Sequence, residues 1–168
     1  MVLDASEAKK RTGQVFSFDL SETVPPLTYG GREVVLAEPL HVRGEFFHDG
    51  KDFRVSGEAE TVLDSLCARC GTEFREPYAF RFEERFSRDQ GLEDEENPVY
   101  SYEGDVLSLD KAVMDNFYLN LPLISVCKPD CKGLCPVCGA NRNVTECGCL
   151  QTDTENPFSV LKELNIKE

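Results

Sequence analysis

The stretch between Cys127 and Cys149 constrains this chain more than any other. It holds six of the eight cysteines, at 127, 131, 135, 138, 147 and 149, while the other two form a distant Cys67-Ala-Arg-Cys70. A C-x-x-C turn presents two thiolates to one ion, and Zn²⁺ takes four such ligands tetrahedrally at about 2.3 Å from each sulfur. Eight cysteines therefore divide into two sets of four, and the cofactor they imply is zinc, two ions per chain. Two turns share the form C-x-x-C-G, at Cys67–Gly71 and Cys135–Gly139. The glycine permits a backbone conformation in which amide N–H groups point at the sulfurs and stabilise their charge, as in a zinc knuckle.

Thiols paired in this way read as metal ligands only under reducing conditions, where disulfides are rare. The opening Asp4-Ala5-Ser6-Glu7-Ala8-Lys9-Lys10-Arg11 is polar, with no apolar leader and no membrane span, so a cytoplasmic location is expected. The assignment of cysteines to ions has two forms. The preferred one groups Cys67, Cys70, Cys127 and Cys131, and leaves Cys135, Cys138, Cys147 and Cys149 as a local set whose loop is cheap to close. The rival pairs the two C-x-x-C turns with each other, as zinc ribbons do, and leaves Cys127, Cys131, Cys147 and Cys149. The first form clips a hairpin tip to a distant segment, which is a structural task.

Between Val15 and Phe86 the apolar residues recur with period two, the mark of half-buried strands. Phe16, Phe18 and Leu20 alternate with polar residues; Leu40, Val42, Gly44 and Phe46 share a face; Phe53, Val55, Ala59, Thr61 and Leu63 share the next; Phe74, Tyr78, Phe80, Phe82 and Phe86 follow. Asp49-Gly50 predicts a type I′ hairpin turn, and Cys67–Gly71 a second, metal-binding turn. Pro25-Pro26 and Tyr29-Gly30-Gly31 read as a loop, and the acidic run across residues 89–105 as a solvated loop. Ser108 reads as an N-cap, opening a helix over 108–121 whose Leu109, Ala112, Val113, Phe117 and Leu119 cover the sheet, with Pro122 ending it. A last short helix is expected from Phe158 to Leu164. The fold class is mainly β (α+β): an antiparallel β-meander or partly closed barrel with a covering helix and a C-terminal Cys-rich segment. The organisation is a β-rich core over 1–126 and a cysteine-rich segment with a tail helix over 127–168, packed on that core.

Catalytic patterns are missing. His41 and His48 read as strand-surface residues, and no nucleophile triad, phosphate loop or dinucleotide fingerprint occurs. Cys131-x3-Cys135-x2-Cys138 has the spacing of the radical S-adenosylmethionine cluster, but the chain lacks the βα alternation of that barrel. Four thiolates also close a zinc ion to water. The chain is not expected to be an enzyme, and no small-molecule substrate or membrane is expected. A formal net charge of −13 argues against a general nucleic-acid coat, whose affinity comes from neutralising phosphates, and favours a basic partner. Local contact with RNA would fall to Arg69, Lys128, Lys132 and Arg142, beside the cysteines.

Cys67-Ala-Arg-Cys70, Leu121-Pro122-Leu123 and the run Asp130-Cys-Lys-Gly-Leu-Cys-Pro-Val-Cys-Gly-Ala-Asn-Arg-Asn143 resemble the YceD-like large ribosomal RNA subunit accumulation proteins. Gly104-Asp105-x-Leu107-x-Leu109 and Asn156-Pro-Phe-Ser-Val-Leu161 are similar to further family segments. Arg142 departs from the pattern, which often has leucine there; Asn141 and Asn143 are kept and are expected to hold the turn through side-chain-to-backbone hydrogen bonds. Some family members lack the second knuckle, which accords with separable sites. The resemblance implies a non-enzymatic factor supporting large-subunit ribosomal RNA accumulation and ribosome assembly. Its partner would be a ribosomal protein or the large-subunit rRNA precursor. The alternative is a zinc-thiolate redox switch regulating such a step, with low-pKa thiols at Cys147 or Cys149.

Overall fold

The computed structural model describes residues 1–88 and 99–149. Three long strands carry the fold: β5 (Leu40–His48), β6 (Phe53–Leu66) and β7 (Glu73–Ser87). β6 pairs antiparallel with β7 along its whole length, from Phe53↔Phe86 to Leu66↔Glu73. On its other edge β6 pairs with β5 from Phe53 to Glu60 and then with β4 (Arg32–Leu36) at Leu63 and Asp64. β2 (Phe16–Glu22) extends the sheet beyond β5, β3 (Leu27–Tyr29) beyond β4, and β8 (Val99–Ser101) beyond β7. The sheet is open, so the barrel form of the expectation is not realised among the described residues. β8 also runs parallel to β7, a departure from a purely antiparallel meander.

The period-two reading of the core holds along β5, β6 and most of β7, while Phe16, Phe18 and Leu20 are half-buried at its edge and Phe74 packs half-buried against the cysteines instead. Leu40, Val42 and Phe46 of β5, Phe53, Val55, Ala59, Thr61 and Leu63 of β6, and Tyr78, Phe80, Phe82 and Phe86 of β7 are all buried. Gly44 and Gly57 face each other in register at the centre, and the rings of Phe18 and Phe82 lie over the space their missing side chains leave. The same parity corrects one expectation. His48 stands two residues beyond Phe46, so it points to the core, buried with its ring 4.7 Å from that of Phe53. His41, of opposite parity, lies on the outer face between Asp19 (2.7 Å) and Glu60 (3.5 Å).

The turns differ from their sequence reading. β5 and β6 are joined by four residues, not by a two-residue type I′ turn, and only Gly50 takes positive φ (106°). Asp49 holds this loop by accepting from the amides of Lys51 and Asp52 with its carboxylate, which keeps that carboxyl near a pKa of about 2. The type I′ geometry occurs instead at Gly30-Gly31 (φ 57° and 76°), where β3 and β4 form a hairpin in a stretch expected to be loop. The polar opening also folds: β1 (Val2–Asp4) pairs with β9 (Val106–Ser108), and α1 (Ser6–Lys10) follows. Of the expected acidic loop, residues 99–101 form β8, and residues 89–98 lie outside the described residues, as does the expected helix at Phe158–Leu164.

α2 runs from Asp110 to Asn120 and covers one end of the sheet. Its N-cap is Leu109, not Ser108, which ends β9 and places its hydroxyl 3.0 Å from Asp110 Oδ2. Leu109, Val113 and Phe117 recur every four residues and are fully buried; Leu119 falls off that stripe and is exposed. Phe117 meets Tyr78 and Phe80 edge-on at 5.1 and 6.1 Å, and the Tyr78 hydroxyl donates to the Phe117 carbonyl at 2.7 Å. Burying a ring of this size contributes about 1.5–3 kcal/mol. Leu121, held extended (ψ 133°) ahead of Pro122, ends the helix and sends the chain toward Cys127. Among the described residues no helix is long and apolar enough to cross a membrane.

Candidate metal centres

The β6–β7 hairpin ends in the first C-x-x-C turn. Cys67 accepts the Gly71 amide at 2.8 Å on its carbonyl and donates its own amide to Thr72 at 3.0 Å. Gly71 sits at φ 68°, where an L side chain would be strained. The Ala68 amide then donates to the Ser125 carbonyl at 2.9 Å, so the turn takes hold of the segment arriving from α2. One carboxylate reinforces this: Glu76 Oε1 on β7 accepts from both Ser65 Oγ and Ser125 Oγ, each at 2.6 Å. Cys127 is thereby delivered to the hairpin tip.

There the sulfurs of Cys67, Cys70, Cys127 and Cys131 gather within 4.8 Å of one another. Cys67 Sγ lies 3.8 Å from Cys131 Sγ, and Cys70 Sγ lies 3.8 Å from Cys127 Sγ. A tetrahedron with metal–sulfur bonds of about 2.3 Å has edges of about 3.8 Å, so this donor set fits one zinc-sized, thiophilic ion. Cys135, Cys138, Cys147 and Cys149 form a second set within the same limit. This is the preferred division of the cysteines; the ribbon-like pairing of the two turns does not occur. Cys131 also falls in a different set from Cys135 and Cys138, which breaks up the apparent cluster triad. All eight cysteines are free of disulfides.

The backbone around each set is built for thiolate. The Cys127 amide, opposed by burial and aided by the amides of Cys70 and Arg69, holds the Cys67 thiol down at about 6. The amides of Cys138 and Val137 do the same for Cys135, also to about 6. Thr72 lowers Cys70. These are the N–H···S contacts expected of C-x-x-C-G turns, with Gly139 at φ 72° repeating Gly71. The partners sharing those sulfurs are pushed the other way: Cys127 to about 12, mainly by burial, and Cys149 to about 12, by Cys138. Cys147 is raised by Cys135.

The segment linking the two sets is fastened to the first turn. Leu134 donates its amide to the Arg69 carbonyl (3.0 Å), Arg142 donates its amide to Gly133 (3.0 Å), and the Arg69 guanidinium donates to the Cys131 carbonyl (3.2 Å). Gly133 is buried at φ 70°, and a side chain there would meet the Arg69 carbonyl at 3.1 Å. Of the four cations singled out in the sequence, Arg69 therefore spends its charge partly on the site itself. Lys128 and Lys132 are exposed, Lys128 lying 3.9 Å from Asp130, and Arg142 is half-buried.

The asparagines do more than hold their own turn. Asn141 Oδ1 accepts from the Asn143 amide (3.0 Å), and Asn143 Oδ1 accepts from the Lys132 amide (2.9 Å), as expected. In addition, Asn143 Nδ2 donates to Cys131 Sγ at 3.3 Å. Asn141 Nδ2 donates to Thr72 Oγ1 at 3.1 Å, and that oxygen lies 3.3 Å from Cys70 Sγ. Sequence reasoning passed over Ser65, Thr72, Glu76 and Ser125. A signal for two of them was present: Ser65-Leu-Cys67 and Ser125-Val-Cys127 are the same Ser-x-Cys pattern, brought side by side under one carboxylate.

An open β-sheet whose longest hairpin is tied through one all-sulfur set to a cysteine-rich segment that carries a second defines a cysteine-clustered α+β protein with paired candidate metal centres. Residues 55–165 match the family described as Large ribosomal RNA subunit accumulation protein YceD, and the chain belongs to that family. An uncharacterized protein of Mycobacterium tuberculosis is 29% identical over 147 residues, covering 83% of this chain and 69% of that relative. The Arabidopsis thaliana protein named Large ribosomal RNA subunit accumulation protein YCED homolog 1, chloroplastic, is 24% identical over 155 residues, or 75% of this chain and 48% of its own length. The Zea mays protein of the same name is 46% identical over 44 residues, 26% of this chain and 15% of its own. No solved structure matches the chain.

Proposed function

We propose that this chain is a non-enzymatic, zinc-binding factor of the cytoplasm that supports large-subunit ribosomal RNA accumulation during ribosome assembly. Two zinc ions per chain would be held by Cys67, Cys70, Cys127 and Cys131 and by Cys135, Cys138, Cys147 and Cys149. The observation that carries the reading is the closure of both sets. Four sulfurs at tetrahedral spacing fill the coordination sphere and leave no position for an activated water. The ions then serve to fix the loops around them. Those loops expose Leu134, Val137 and Val144, and Lys128 and Lys132 are exposed in the same cysteine-rich segment, on a chain whose net charge is −13.

A basic ribosomal protein is the direct partner that this charge favours, with the rRNA precursor reached through Lys128, Lys132 and Arg142. Elemental analysis with native mass spectrometry on the reduced chain should give two zinc ions, and tagged chain should retain large-subunit precursor particles. Changing Lys128, Lys132 and Arg142 together to glutamine leaves the ligands and the Arg69 clasp in place. Loss of RNA with ribosomal protein still retained supports direct rRNA contact. Retention of both assigns the binding to protein surface elsewhere. A chain with one zinc or none, or one that captures no precursor, refutes the reading.

A further inference from the structure

The two sulfur sets are built differently. Every ligand of the second lies within the single segment from Cys135 to Cys149, and four backbone bonds close that segment on itself: the Cys135 amide to Ala140 (2.8 Å), the Gly139 amide to Cys135 (2.9 Å), and the Thr145 and Val144 amides to Asn141 (3.0 Å each), with the Arg142 amide reaching out to Gly133 (3.0 Å). The first set joins ligands 57 and 64 residues apart in sequence. Besides the amides of its own turn, side chains from outside that turn meet its negative charge. Cys131 Sγ receives Asn143 Nδ2, and Cys70 Sγ has Thr72 Oγ1 beside it. Thr72 in turn accepts from Asn141, which leaves its own hydrogen for the sulfur. Asn141 and Asn143 both sit on the loop that the second set closes, between Cys138 and Cys147.

We infer that the two centres form in order: the Cys135–Cys149 centre closes first, from its own segment, and its folded loop supplies Asn143 and Asn141 as the donors that complete the centre at Cys67, Cys70, Cys127 and Cys131. This rests on the zinc reading of the two sets. The physical reason is the unequal cost of closure. A short loop brings its ligands together at little entropic cost, and a loop of about sixty residues adds to that cost. A tetrathiolate also concentrates negative charge that hydrogen bonds to sulfur must offset. Loss of such an outer donor typically weakens metal binding about 10–100-fold. Asn143 is therefore a positioning residue for a metal ion that it does not ligate.

The test titrates the full-length chain with zinc against a chromophoric chelator, with native mass spectrometry counting the ions. Cys67→Ser/Cys70→Ser should keep one ion at the affinity of the wild type's first binding step, while Cys135→Ser/Cys138→Ser should weaken its remaining centre at least tenfold relative to the wild type's second step. Asn143→Asp preserves all eight thiolates and the acceptor for Lys132 while replacing the donor to Cys131 by a like charge. It should bind one ion normally and the second about 10–100-fold more weakly. In the Cys67→Ser/Cys70→Ser background the same change should do nothing. If Cys135→Ser/Cys138→Ser does not fold, Asn143→Asp decides alone. Equal affinities in Asn143→Asp and wild type, or equal weakening of both centres, overturn this order of assembly and leave the zinc reading standing. A wild-type chain that takes up no zinc overturns both.

Discussion

Replacing Gly44 with alanine should force apart the centre of the sheet. A methyl carbon at that position would lie 2.1 Å from the Ser56 carbonyl oxygen, 2.7 Å from Gly57 Cα and 2.9 Å from the tip of the Phe18 ring, against ordinary contacts of 3.4–4 Å. Two of these three neighbours are backbone of the paired strand, so no rotamer change relieves them; β5 and β6 must separate. Overpacking in a core costs about 1–3 kcal/mol, and a clash with backbone belongs at the upper end, about 3 kcal/mol. For a chain of this size that lowers Tm by about 6–12 °C, taking about 2–4 °C per kcal/mol. Urea unfolding should show a lower midpoint with unchanged slope. Gly57→Ala provides the internal comparison, because two of its three close neighbours are atoms of the Phe82 ring, at 2.8 and 3.0 Å. Phe82→Leu should relieve part of the Gly57→Ala loss, and Phe18→Leu should not relieve Gly44→Ala. A Gly44→Ala chain within about 0.5 kcal/mol of wild type would refute the close-approach argument.

Phe117→Ala removes a fully buried ring from between α2 and β7 and should cost about 3–5 kcal/mol, measured by thermal or denaturant unfolding. His41, hydrogen-bonded to Asp19 and then Glu60, has its pKa raised in the folded chain. Its contribution to stability is complete below its unfolded value of about 6.5 and is lost as pH rises through the higher folded value. Urea midpoints should therefore fall between pH 6 and pH 8, and His41→Gln should flatten that part of the profile. Glu76→Ala strips the shared acceptor from Ser65 and Ser125. Expected are a loss of about 1–3 kcal/mol and faster zinc release to a chelator from one of the two centres.

What the sequence disclosed and what it hid follow from how many periods each element offers. β5, β6 and β7 run for 9, 14 and 15 residues, enough alternations to declare both strand and core face. β3 and β8 have 3 residues each, too few for a period, and β8 is held by its parallel register with Arg85–Ser87 rather than by any pattern of its own. The opening residues looked merely polar because α1 buries only Ala8. The sulfur sets were legible because loop closure ranks the pairings, and the spacing of Cys135, Cys138, Cys147 and Cys149 is short. The asparagine contacts to sulfur were not, since nothing in D-C-K-G-L-C-P-V-C-G-A-N-R-N says that its last residue reaches back to its second.

The separation of 57 residues between Cys70 and Cys127 also sets a clock. A nascent chain grows at about 5–20 residues per second, so the hairpin tip waits about 3–11 s after its own synthesis before its partners exist. Until Cys127 and Cys131 are made, Cys67 and Cys70 are a dithiol without the partner sulfurs that complete their set. The turn that anchors the first sulfur set is thus, while translation continues, only half of it.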